Sequence, residues 1–251
     1  KLGLLDAAQS REMLANYAQQ RPDPSIENDV IKECGRLPLA PAMVGSMVRS
    51  DPLLQWKDVQ EMLRNADLEE VKNLFKDYPY PDLLKAMQVS IMALEPEDQA
   101  LYIDFAVFPE DTLIPEETLK IFWKHRGLPE YKIFRKMAHF IDLSLVTQDE
   151  KGRIALHDLQ YDYVKRQVKD MKALRKSLLE AYSKVCPVGW SKGPNDGYFF
   201  QHLPQHLFET EKLEDLRSLL LDYEWMQAKL QATDVPSLLS DYDLLSSQED
   251  L

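Results

Sequence analysis

Fifteen prolines against only eight glycines constrain this chain more than any other feature. Proline fixes φ and lacks a backbone N–H, so it is disfavoured in helix interiors and central strands but suits the first turn of a helix. Few glycines leave few sites for the positive-φ turns of a many-stranded fold. The expected architecture is therefore a set of short helices, each restarted near a proline, and the apolar spacing agrees with this. Asp23-Pro24 reads as an N-cap followed by a first-turn proline. Ile26, Val30, Ile31 and Cys34 then share one face, and Gly35 closes the helix. Pro38 opens the next helix, with Leu39, Ala42, Met43 and Met47 inward. Two more helices are expected over 56–65 and 68–75. The run Asp77-Tyr78-Pro79-Tyr80-Pro81 cannot be helical and marks a boundary.

The second block, 81–169, continues the pattern. One helix carries Leu84, Met87, Ile91 and Leu94. Pro96 starts another, with Leu101, Tyr102 and Phe105 inward. Phe108-Pro109-Glu110-Asp111 is a turn, and Pro115 begins a helix bearing Leu119, Phe122 and Trp123. A further helix is expected to turn Tyr131, Phe134, Met137 and Ile141 inward. Residues 144–147 and 153–156 flank the polar stretch 148–152 and read as the chain's one β-hairpin, with Gly152 free to take positive φ. Helices followed by a hairpin form a winged-helix pattern. In the third block, 170–251, Met171, Leu174, Leu178, Leu179 and Tyr182 form a helical stripe. A loop over 187–195 leads to helices over 198–208, 213–221, 224–231 and 236–242, then to a frayed tail or linker at 246–251. The fold class is mainly α: a helical bundle over 1–80, a winged-helix domain with one hairpin over 81–169, and a C-terminal helical domain over 170–251.

Composition narrows the function. A net charge of −12 and a pI near 4.9 oppose binding to nucleic acid or to an anionic membrane, because both are polyanions. No stretch of ~18 apolar residues is present to span a bilayer. Two cysteines, Cys34 and Cys186, are too few for a disulfide scaffold, and they read as buried, inert thiols of a reducing, cytoplasmic compartment. There is no phosphate-cradling loop, no nucleophile elbow and no paired-cysteine metal site, so this segment is not expected to be an enzyme. His202 and His206 stand four apart, as zinc ligands can. Without a third ligand at a clear spacing, and with Pro204 between them, they read as structural. A winged helix can read DNA. The segment Tyr131-Lys132-Ile133-Phe134-Arg135-Lys136-Met137 supplies three cations, fewer than phosphate binding in a chain of this charge requires. The chain begins Lys1-Leu2-Gly3 without an initiator Met and is expected to be part of a longer protein.

Two short motifs remain. Gly35-Arg36-Leu37-Pro38-Leu39-Ala40 can be simply a helix end followed by a helix start. Leu156-His157-Asp158, directly after the hairpin, can be simply a helix cap. In order, with a winged-helix block between them, they resemble the GLPL and MHD motifs of NB-ARC proteins, the nucleotide-switch ATPases of apoptosome and plant-resistance type. Arg36 replaces the usual small residue and Leu156 the usual Met. Phe105-Ala106-Val107-Phe108-Pro109-Glu110-Asp111 resembles the opening of that family's winged-helix domain. Tyr198-Phe199-Phe200-Gln201-His202-Leu203-Pro204, Trp225-Met226-Gln227-Ala228-Lys229-Leu230 and Asp241-Tyr242-Asp243-Leu244-Leu245 resemble the helical domain of the apoptotic protease-activating type with WD repeats. The resemblance implies ADP or ATP as cofactor in the longer protein, most of the site lying upstream of Lys1. Pro38 would pack near the adenine and His157 would reach the β-phosphate, supported by Leu37 and Asp158. It also implies an upstream nucleotide-binding domain, a downstream WD-repeat sensor and a homo-oligomer on activation. A nucleotide-independent interaction scaffold is the alternative if His157 faces solvent.

Overall fold

The computed structural model describes residues 4–66 and 81–246. The helix expected over 68–75, residues 77–80 and the tail 247–251 lie outside them; Pro81, expected to be non-helical with 77–80, instead begins a helix, where a proline's missing N–H costs nothing. The described residues are mainly α, with one two-stranded sheet.

The chain packs as two compact units. The first comprises 1–103, 136–147 and 156–167; the second comprises 104–135, 148–155 and 168–251. In the first unit, α1 (Ala7–Ala18) was not foreseen, because its apolar residues are sparse. Its signal is a capping box in which Asp6 accepts from the Gln9 amide and Gln9 reaches back to the Asp6 N–H. In α2 (Pro24–Cys34), Pro24 is at the first position and Gly35 follows at φ +67°, as expected. Asp23 occupies the cap position without a side-chain cap bond, so Pro24 alone defines this start. Val30, Ile31 and Cys34 are buried, while Ile26 is only half-buried.

Pro38 immediately precedes α3 (Leu39–Ser50), in which every residue from Ala40 to Val48 is buried. A helix buried all round needs a close neighbour, and Gly45 provides the approach to α1. α4 is Trp56–Asn65, α5 is Pro81–Met92 and α6 is Pro96–Ile103. Lys85 of α5 is buried and donates to Glu33 of α2, so this charge enters the core already paired.

A 3₁₀ turn, Asp104–Val107, opens the second unit and leads to α7 (Glu116–His125), whose Leu119, Phe122 and Trp123 are buried as the pattern required. α8 (Glu130–Asp142) runs from the second unit into the first and differs from expectation. Its inward residues are Ile133, Met137 and Phe140, whereas Tyr131 and Phe134 are exposed. Tyr131 and Phe134 lie on the next stripe round the helix, and Lys120 sits over the Phe134 ring at 4.6 Å.

The hairpin exists but is shorter and shifted: β1 is Thr147–Gln148 and β2 is Ile154–Ala155. Residues 144–146 do not form strand, because they finish α8. Ser144 takes φ +56°, its N–H bonds the Ile141 carbonyl at 2.9 Å, and the Leu145 N–H bonds Phe140 at 2.9 Å. This is a Schellman ending with serine at the left-handed position. Gly152 has φ +79° in the turn, as expected, and Asp149 accepts from the amides of Lys151 and Arg153. Ile114 adds a bridge to Ile154, so three segments meet at the base of the wing.

After α9 (Asp158–Gln167) come α10 (Met171–Val185), a 3₁₀ turn at Trp190–Lys192, α11 (Phe199–Glu209), α12 (Leu213–Leu221), α13 (Tyr223–Ala232) and α14 (Val235–Ser246). Aromatic rings knit the second unit: Phe105 on Trp123 at 5.8 Å, Phe108 on Tyr198 at 5.2 Å, and Tyr182 on Phe199 at 4.9 Å. The Asp196 carboxylate caps α11 through the amides of Tyr198 and Phe199. It also accepts from Thr118 of α7 and Tyr182 of α10. Fully buried Lys229 of α13 donates to Asp241 of α14, tying the last two helices together.

Candidate functional site

The first motif forms the edge of a cleft. Gly35 turns the chain, and a Cβ there would meet the Asp82 Cβ at 3.1 Å, so glycine is needed for both φ and space. The Arg36 carbonyl accepts from the Leu5 amide at 2.7 Å, while its side chain is exposed. Leu37 and Pro38 are half-buried. A cleft of about 180 Å³ opens here, lined by Leu4, Cys34, Gly35, Arg36, Leu37 and Asp82. Cys34 is no nucleophile: burial, aided by the Glu33 charge, pushes its thiol up to about 12. Cys186 is buried too and is raised to about 11, chiefly by burial.

The second motif lies where the wing returns to helix. The His157 carbonyl receives the first helical bond of α9, from Tyr161 at 2.9 Å, so His157 is the cap residue and Asp158 the first helical one. Asp158 is exposed and favours the helix start by its charge. The His157 side chain is also exposed, and its Nδ1 lies 3.4 Å from the Leu159 amide. A neutral ring that accepts at Nδ1 keeps an N–H donor at Nε2.

The second motif is tied to α3, the helix that follows the first motif, through a residue that the sequence did not single out. Gln160 is 1% exposed. Its Oε1 accepts from the His157 amide at 3.0 Å, and its Nε2 donates to the Ser144 carbonyl at 2.8 Å. That Nε2 also lies 4.0 Å from Met43 Sδ, on the helix that Pro38 begins. Ser144 Oγ in turn is 2.9 Å from Ser46 Oγ of α3. The available signal was glutamine three residues after the cap, the second half of a capping box.

Among the described residues no group of three or more His, Cys, Asp or Glu could hold a metal ion. Both histidines engage Tyr198. His206 Nε2 is 2.6 Å from the Tyr198 hydroxyl, and His202 stacks on the Tyr198 ring at 4.3 Å. Burial, first of all, drives His202 down to about 4 and His206 to about 3, so both are neutral near pH 7. Of the three cations on α8, Lys136 is paired with Asp98, which leaves exposed Lys132 and Arg135 for any phosphate. No described helix is long and apolar enough to cross a membrane.

Comparison with known proteins places the chain beside two groups. The APAF-1 helical domain family matches residues 171–248, from the start of α10 to just past α14. The chain is 28% identical over 250 residues to apoptotic protease-activating factor 1 of Danio rerio, covering 95% of this chain and 19% of that protein. For the Homo sapiens protein of the same name the identity is 24% over 225 residues, covering 87% and 18%. The disease resistance protein ADR1 of Arabidopsis thaliana is 23% identical over 229 residues, covering 83% and 28%. The chain therefore spans about a fifth of the apoptotic relatives. Residues 171–248 thus match the APAF-1 helical domain family, within a chain similar over nearly its whole length to apoptotic protease-activating factors and over most of it to a plant disease resistance protein.

Proposed function

We propose that this chain is the regulatory middle segment of a nucleotide-dependent (ADP/ATP) switch protein that controls oligomerisation in apoptosis- or immunity-like signalling. In this reading 1–80 is a first helical domain, 81–169 a winged-helix domain ending near the LHD motif, and 170–251 a second helical domain. A nucleotide-binding domain precedes them and a WD-repeat sensor follows, in the cytoplasm. The supporting observation is similarity along 95% of the chain to an apoptotic protease-activating factor. The residues also suit a nucleotide. Pro38 offers a rigid, half-buried apolar surface next to Leu37, which lines a cleft, and His157 offers a polar ring exposed to solvent. Bound ADP would supply an adenine face and phosphate oxygens as acceptors. Pro38, backed by Leu37, would pack near the adenine, and His157, with Asp158 beside it, would donate to the β-phosphate. That bond exists only in the closed, monomeric state. The switch can move no further than the difference in nucleotide affinity between the two states allows.

The test is His157→Ala in the longer protein. Losing a hydrogen bond to a charged group costs about 1.5–3 kcal/mol, roughly a 10- to 150-fold shift toward the open form. ADP retained through gel filtration should fall, and light scattering should show more oligomer. The 251-residue chain should melt within about 1 kcal/mol of wild type, because an exposed ring makes one long bond. Unchanged ADP retention in the variant overturns the switch reading and favours the interaction scaffold.

A further inference from the structure

We propose that Gln160 is the positioning residue for His157, and that its buried carboxamide sets the direction of the imidazole. The proposal rests on the reading of His157 given above and extends it to a residue away from the ligand.

The Gln160 carboxamide is buried with both ends engaged, toward two different parts of the first unit. Oε1 holds the His157 amide at 3.0 Å, which fixes the backbone from which the imidazole projects. Nε2 is anchored at 2.8 Å to the carbonyl of Ser144, a residue held at φ +56° by the ending of α8. Only one orientation of the amide is consistent with these contacts. The flipped amide would set NH₂ against the His157 N–H and oxygen against the Ser144 carbonyl.

A surface capping box works at least as well with glutamate, whose charge favours a helix N-terminus. Here glutamate would fail. Its carboxylate could still accept from His157, but it could not donate to Ser144, and its charge would be buried against a carbonyl. The neutral, two-ended amide is therefore a requirement of the bridge and not of the cap. Beyond Ser144 the chain of contacts continues through the Ser144–Ser46 hydroxyl pair to α3, and Met43 touches the same amide. His157 thus takes its direction from the end of α8 and from the helix that starts at Pro38. A shift of α3 relative to α8 changes the amide's anchor and, with it, the imidazole.

The test uses Gln160→Glu, which keeps the cap acceptor and removes the bridge donor, and Gln160→Leu, which removes both. In the 251-residue chain the readouts are the His157 imidazole proton–carbon NMR signal and the exchange rate of the His157 amide. Both variants should shift or broaden the imidazole signal. In Gln160→Leu the amide should exchange about tenfold faster, the factor expected for one lost hydrogen bond. In the longer protein each variant should release ADP about tenfold faster, with no further effect in a His157→Ala background. A variant that only melts lower, with the imidazole signal and amide exchange unchanged, overturns the proposal and makes Gln160 a packing residue. ADP loss in His157→Ala but not in the Gln160 variants overturns it as well. If instead the Gln160 variants move the imidazole while His157→Ala leaves ADP retention unchanged, positioning stands and the switch reading falls. Should Gln160→Leu not fold, Gln160→Glu decides alone through the imidazole signal.

Discussion

Replacing Gly45 by alanine tests how α3, the helix that follows Pro38, is seated. An alanine Cβ built there lies 2.8 Å from the Leu14 carbonyl oxygen, 2.9 Å from the Tyr17 Cβ and 3.0 Å from the Ala18 amide nitrogen. All three atoms belong to the backbone or first side-chain carbon of α1, so no rotamer change relieves them. Ordinary carbon contacts begin near 3.5 Å, so α1 must retreat by roughly half an ångström or more. On the favourable side, alanine gains about 1 kcal/mol over glycine in a helix interior. The usual benefit of burying a methyl is not realised, because the space is already filled. Overpacking costs about 1–3 kcal/mol, and three rigid contacts put this site at the upper end. The expected net effect is a loss of about 2 kcal/mol, or roughly 4–8 °C in Tm for a chain of this size. Thermal melts followed by circular dichroism, with urea midpoints alongside, measure it. A Tm equal to or above wild type refutes the close α1–α3 approach, since helix propensity alone would then have decided the outcome.

Asp196→Ala should cost about 3 kcal/mol, from the lost α11 cap and the stranded hydroxyls of Tyr182 and Thr118. Asp196→Asn should recover part of this by keeping the cap acceptor, and equal urea midpoints for Asp196→Ala and wild type refute it. Asp104 gives a pH prediction: burial raises its carboxyl to about 7, against the opposing pull of Arg126 at 3.3 Å and of the Trp123 indole. The folded state then keeps a proton that the unfolded chain releases above about 4, so this contribution is full below that value and is lost as pH rises through 7. Asp104→Asn mimics the protonated form, and its stability relative to wild type should climb between pH 4.5 and 7.5; a gap independent of pH contradicts the assignment. Asp241, raised by burial to about 6, adds a slope of the same sign, while neutral His202 and His206 act oppositely below 6.5. These contributions cancel when the variant is compared with wild type.

The sequence by itself determined the helical class and much of its punctuation. Proline before or at a helix start, as at Pro24, Pro38, Pro96 and Pro115, is a covalent restriction on φ and on hydrogen bonding, so it reads locally. The same holds for Gly35 and Gly152, whose positive φ is a local property. The motif pair Leu37-Pro38 and His157-Asp158 was visible for the same reason, as short runs of chain. Other features depended on partners far away in sequence. Which stripe of α8 faces inward is set by the elements packed on it, and Ile133 and Phe140 were chosen over Tyr131 and Phe134 although both stripes are apolar. Residues 144–146 have strand propensity, yet the carbonyls at the end of α8 needed donors and took them. Gln160 looked like an ordinary polar residue, because its role exists only where Ser144 and Met43 arrive from elsewhere. Burying an amide is costly until its partners are in place, and tertiary structure alone puts them there.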